Sequence, residues 1–83
     1  MHYNENWAID TKRVHTFFDA QPDVQRTANG YRYKNCLITV TALPSNKQSI
    51  FSLPRTHLII QGPEEEADAI HRRFFLNFLS AGG

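Results

Sequence analysis

The stretch that follows Gly62-Pro63 constrains this chain most. Glu64-Glu65-Glu66 comes first, and apolar residues then recur at Ala67, Ile70, Phe74 and Phe78. A repeat of three and four residues is the period of one helix face. Proline suits the first helical turn, where its missing N–H would have no partner in any case. Three carboxylates suit the positive end of the helix dipole. The spacing predicts an amphipathic helix running almost to the end of the chain, its apolar stripe widened by Phe75 and Leu79. Arg72 and Arg73 fall on the polar side. Leu76 projects from that side too, outside the apolar arc. Gly82-Gly83 can supply a left-handed cap.

A helix with one apolar side must lie on something, and the middle of the chain reads as strands. Cys36-Leu37-Ile38-Thr39-Val40-Thr41 is rich in β-branched residues, as is Thr56 to Gln61. Between them a turn at Pro44-Ser45-Asn46-Lys47 leads into a strand expected from Gln48 to Leu53. Asn29-Gly30 suits a type I′ hairpin turn, joining a weak strand, Val24 to Ala28, to the long one that starts at Tyr31. Ahead of the strands, Asp10 has the character of an N-cap. Ile9 and Val14 have the spacing of a hydrophobic staple. Val14, Phe17 and Phe18 then predict a short helix over 11–20, ended by Pro22.

The expected architecture is therefore α+β. It is a two-layer sandwich in which an antiparallel four-stranded meander carries an N-terminal and a C-terminal helix on one face, in the order α-β-β-β-β-α. The 83 residues make one domain, and the polar start through Asn6 is expected to be loose, with Trp7 free to fold back.

Pairing can be followed across the expected sheet. Val40 should face Phe51, Ile38 should face Leu53, and Phe51 should lie opposite Leu58. The face bearing Ile38, Val40, Phe51, Leu53, Leu58 and Ile60 is then the one the helices cover. The open face gathers Thr39, Thr41, Ile50, Ser52, His57, Ile59 and Gln61 with Leu37 beside them, and Thr41, Ile50 and Ile59 form a row. Tyr31 and Tyr33 alternate in the opposite phase to Cys36, Ile38 and Val40. A one-residue bulge near Lys34-Asn35 would reconcile the two by turning both tyrosines inward and Arg32 outward.

Composition narrows the function. Hydrophobic residues at 41% and a net charge of +1 fit a folded domain, and argue against disorder and against gripping polyanions by bulk charge. A single cysteine, Cys36, allows no internal disulfide and no multi-cysteine zinc site. His2, His15, His57 and His71 show no metal-ligand spacing. Neither a signal-peptide pattern nor an apolar run near the roughly 20 residues of a membrane span occurs, so the expected compartment is the cytoplasm. No phosphate-binding glycine loop or nucleophile elbow is present, and no cofactor is implied.

The expectation is a small non-catalytic binding or regulatory module. It would act through protein contacts or self-association, using Leu37, Thr41, Ile50, His57 and Ile59 on the open sheet face, with Arg72 and Leu76 on the last helix. The alternative is a nucleic-acid-binding module. Tyr31-Arg32-Tyr33-Lys34 interleaves rings that could stack on bases with cations that could neutralise phosphates, and Arg26 should sit opposite Tyr33.

Overall fold

Asp10 caps a helix as its sequence position suggests, its carboxylate accepting the Lys12 backbone N–H at 3.0 Å. Ile9 and Val14, on either side of the cap, are both buried. The computed structural model describes residues 2–44 and 55–81, with side chains through Leu79. In chain order the elements are β1 (His2–Trp7), α1 (Thr11–Asp19), β2 (Val24–Arg26), β3 (Gly30–Tyr33), β4 (Cys36–Ala42), β5 (Thr56–Gln61) and α2 (Glu64–Ala81). The described strands form one antiparallel sheet in the order β1-β5-β4-β3-β2.

The α+β class holds, but the sheet has five described strands where four were expected, and it opens with a strand. The start expected to be loose is an edge strand paired with β5 along its whole length, from His2↔Gln61 to Trp7↔Thr56. Tyr3, Glu5 and Trp7 alternate towards the helices, while His2, Asn4 and Asn6 are exposed. A glutamate in the inward phase hides this strand from a search for apolar alternation. It is tolerated because Glu5 Oε1 accepts from Trp7 Nε1 at 3.1 Å and lies 2.7 Å from His71 Nε2 on α2.

The phase change at Lys34-Asn35 is a chain reversal and not a bulge. Tyr33 pairs with Cys36, so the long strand is two strands joined by a two-residue turn, with Lys34 at φ 54°. Directly opposed residues share a face, which places Tyr31, Tyr33, Cys36 and Ile38 together on the covered side. Positive φ is uncommon for lysine. The turn is held from outside, because the Asn35 backbone N–H and side-chain Nδ2 donate to the two Glu66 carboxylate oxygens at 3.0 and 3.3 Å.

The preceding turn also falls elsewhere than expected. Arg26 faces Tyr31, not Tyr33, and the Thr27 N–H donates to the Gly30 carbonyl at 2.9 Å, so the turn centres on Ala28-Asn29. Gly30 is a strand residue. A Cβ there would lie 2.0 Å from the Ile38 carbonyl oxygen, so glycine answers a close backbone approach.

Finally, β4 pairs directly with β5, matching Ile38 with Ile60, Val40 with Leu58 and Thr41 with His57. The ladder runs on to a Leu43 N–H to Arg55 carbonyl bond at 3.0 Å. The strand expected from Gln48 to Leu53, with Ile50, Phe51 and Ser52, lies outside the described residues. Ile59 therefore stands between Thr39 and Asn4, not in a row with Thr41.

Both helices cover the same face, α1 over β2 and β4 and α2 over β1 and β5. Phe74 sits at the centre of the core. Its ring lies 5.2 Å from Trp7, 5.6 Å from both Phe17 and Phe18, and 4.7 Å from Phe78. Thr56 is the polar member of the core, its hydroxyl donating to the Ile9 carbonyl at 2.7 Å and lying 2.8 Å from the Thr11 hydroxyl.

Candidate interaction surfaces

The open sheet face is wetter than expected. Across its rows stand His2, Gln61, Leu37, Arg32 and Gln25, then Asn4, Ile59 and Thr39, then Asn6, His57 and Thr41. Leu37 is about half exposed, Thr41 is exposed, and Ile59 and His57 are partly covered. The His57 Nε2 lies 2.5 Å from the Asn4 Oδ1, so this histidine is engaged across the β1–β5 ladder. Leu37 and Ile59 are the only large apolar side chains on the described part of this face, and they stand on different rows.

At the β2–β3–β4 end, the interleaved tyrosines and cations separate. Tyr31 and Tyr33 are 1% and 4% exposed, so neither ring face is available to stack on a base. Cations of the chain itself lie over the rings, Arg26 at 5.8 Å from Tyr31 and Lys34 and Arg73 at 5.3 and 5.4 Å from Tyr33. The Tyr31 hydroxyl is also taken, lying 2.7 Å from His15 Nδ1 and donating to the His15 carbonyl at 3.3 Å. Burial and a hydrogen bond with Asp19 push its pKa up to about 12. The two aromatic positions of the nucleic-acid expectation thus lie in the core. Of the five residues, Arg26, Arg32 and Lys34 are exposed, and Arg26 is 3.8 Å from Asp19. A polar notch of about 500 Å³ opens beside Arg26, lined also by His15, Asn29, Thr39 and Thr41 among others, and neither Arg32 nor Lys34 lines it.

A polar seam joins β1 to α2. The Tyr3 ring stacks on His71 with centroids 3.8 Å apart, and its hydroxyl donates to Asp68. That hydrogen bond, more than burial, raises the Tyr3 pKa. On the other flank, Arg73 holds Asp23 with two bonds of 2.8 and 3.2 Å, which keeps the Asp23 carboxyl below the usual range. The Cys36 thiol is buried and pushed up, first by that burial and then by Glu66. Among the described residues no group of three His, Cys, Asp or Glu side chains could hold a metal ion, and no helix is long and apolar enough to cross a membrane.

Among the described residues, the exposed large apolar side chains other than Leu37 lie together on α2. Phe75, Leu76 and Leu79 are 39%, 50% and 59% exposed within two turns. Leu76 and its neighbour Arg72 were singled out in the sequence. Phe75 and Leu79 were expected in the buried stripe, and the wheel explains why they miss it. At about 100° per residue, Phe75 lies about 95° and Leu79 about 135° from the centre of the arc formed by Ala67, Ile70, Phe74 and Phe78. Trp7 borders this surface, its ring 5.8 Å from Phe75, and a hollow of about 330 Å³ between Trp7, Ile9, Phe78 and Leu79 extends it.

No family model matches the chain, and comparison with characterised proteins and with solved structures finds no match.

Proposed function

We propose that the chain is a non-catalytic protein-binding module whose contact surface is the outer face of α2. The observation that carries this reading is the clustering of Phe75, Leu76 and Leu79, three large apolar side chains exposed on consecutive turns of one helix. Scattered exposed leucines are ordinary, but a contiguous apolar patch bordered by charge is characteristic of a protein contact. Arg72 supplies the charge on that border, and Trp7 and Phe75 supply the aromatic area in which interface cores are enriched. The open sheet face supports contact less well, because its exposed rows are chiefly Asn, Gln, Thr and His.

A photo-reactive amino acid at position 76, compared with one at Thr39 on the open sheet face, tests the reading in cells that make the chain. A discrete cross-linked adduct from position 76 and none from position 39 is expected. Adducts from position 39 alone would move the contact to the sheet, and silence at position 76 would overturn the proposal.

A further inference from the structure

Glu65, Ala69, Arg72, Leu76 and Leu79 succeed one another on α2 at intervals of four, three, four and three residues. Those are the positions a lengthwise helix–helix seam would use, filled here by two leucines and an alanine with Arg72 among them and Glu65 at the end. The seam is centred almost opposite the buried arc of Ala67, Ile70, Phe74 and Phe78, so it forms the crest of the helix, with the sheet behind it. Ala69, Arg72, Leu76 and Leu79 are all exposed there.

Resting on the reading of this face as a contact surface, we infer that its partner is a second copy of this chain, with the two α2 helices crossing antiparallel. The self-complementarity of the seam carries the inference. About a two-fold axis near Phe74, Leu79 of each copy falls opposite Ala69 of the other, and Leu76 falls opposite Arg72. Each large side chain thus meets a small one or an aliphatic stem, the alternation that lets facing layers interdigitate. Arg72 can lay its methylenes along Leu76 and keep its guanidinium in water. On one flank the axis brings Phe75 of one copy against Phe75 of the other. On the opposite flank Arg73 is drawn down to Asp23, which removes the like-charge contact that two facing arginines would make. A parallel arrangement would set Arg72 against Arg72 and Ala69 against Ala69, leaving a repulsion and a gap in consecutive layers. An arginine in the seam lowers affinity in exchange for register, so the pair is a weak, reversible dimer.

Cysteines placed singly at Ala69 and at Leu79, both exposed positions, test the arrangement in the purified chain with a short bismaleimide. Cys36 is fully buried and does not report. The antiparallel register brings position 69 of one copy against position 79 of the other. It holds like positions about 15 Å apart along the axis, ten residues at about 1.5 Å each. The expected result is a covalent dimer when the A69C and L79C chains are mixed, and little from either chain alone. Dimers from each chain alone, and none specific to the mixture, would overturn the antiparallel pair. No covalent dimer in any tube would overturn self-pairing. In that case an adduct of another mass from the photo-reactive residue at position 76 would still leave the α2 face as a contact surface for a different protein.

Discussion

A methyl group built on Gly62 would stand 2.6 Å from the Cys36 sulfur and 2.8 Å from the Cys36 Cα. The segment between β5 and α2 is pressed against the Lys34-Asn35 turn, and Gly62 has a φ of +156°, which other residues rarely adopt. Gly62→Ala should therefore destabilise the domain by about 2–4 kcal/mol, measured as a fall in the urea midpoint. Adding Cys36→Ala should not rescue it, because the Cys36 Cα and the Asn35 carbonyl, at 2.8 and 2.9 Å, are backbone atoms that remain. Rescue by the double substitution would mean that the sulfur alone sets the limit.

Tyr31 makes stability sensitive to alkali. Its pKa is pushed up to about 12, chiefly by burial and then by the hydrogen bond with Asp19, against an ordinary value of about 10. The folded state thus keeps a proton that the unfolded chain releases. The associated stability is fully present below about pH 10 and is lost as pH rises through about 12, a total of about 2–3 kcal/mol. Tyr31→Phe should flatten the alkaline limb of a stability–pH curve. It should flatten it only in part, since Tyr3 is also raised. An unchanged limb would contradict the assignment.

The Asp23–Arg73 pair acts at the other end of the pH scale. The folded carboxyl is held low, first by the hydrogen bond from Arg73. Its contribution is present above the ordinary carboxylate pKa of about 4 and is lost as pH falls through the depressed value. Both side chains are more than a third exposed, so the loss should stay within about 1 kcal/mol. Asp23→Asn should remove that part of the acid limb while leaving the unfolding midpoint at neutral pH only slightly lower.

The two helices were legible in the sequence because each has a clean apolar period. Val14, Phe17 and Phe18 are buried on one, and Ala67, Ile70, Phe74 and Phe78 on the other. The sheet was legible only where alternation was unbroken. β1 escaped because Glu5 occupies an inward position, and what makes that acceptable is His71, 66 residues away. The Lys34-Asn35 reversal escaped because a lysine at positive φ gives no turn signal, and Glu66 on α2 is what holds that turn. In the candidate site, Arg72 and Leu76 were found by phase on the wheel. Phe75 and Leu79 were not, because composition drew them into the stripe although their angles place them outside it.

The arginine in the α2 seam yields a prediction of opposite sign. Arg72→Leu replaces a charged seam residue with one that packs fully against Leu76 of the second copy, and should tighten self-association by about tenfold or more. Sedimentation of the two proteins side by side measures this. Unchanged or weakened association would place Arg72 outside the contact.

Sedimentation of the unmodified chain from low to high micromolar concentration, beside Leu76→Asp and Ile59→Lys, shows whether two copies pair through α2. Pairing through α2 predicts a mass that climbs from 9.6 kDa towards twice that value. It predicts the same climb for Ile59→Lys, whose change lies on the open sheet face, and a mass fixed at the monomer for Leu76→Asp. A chain that stays monomeric throughout, or a Leu76→Asp variant that still dimerises while Ile59→Lys does not, would contradict it.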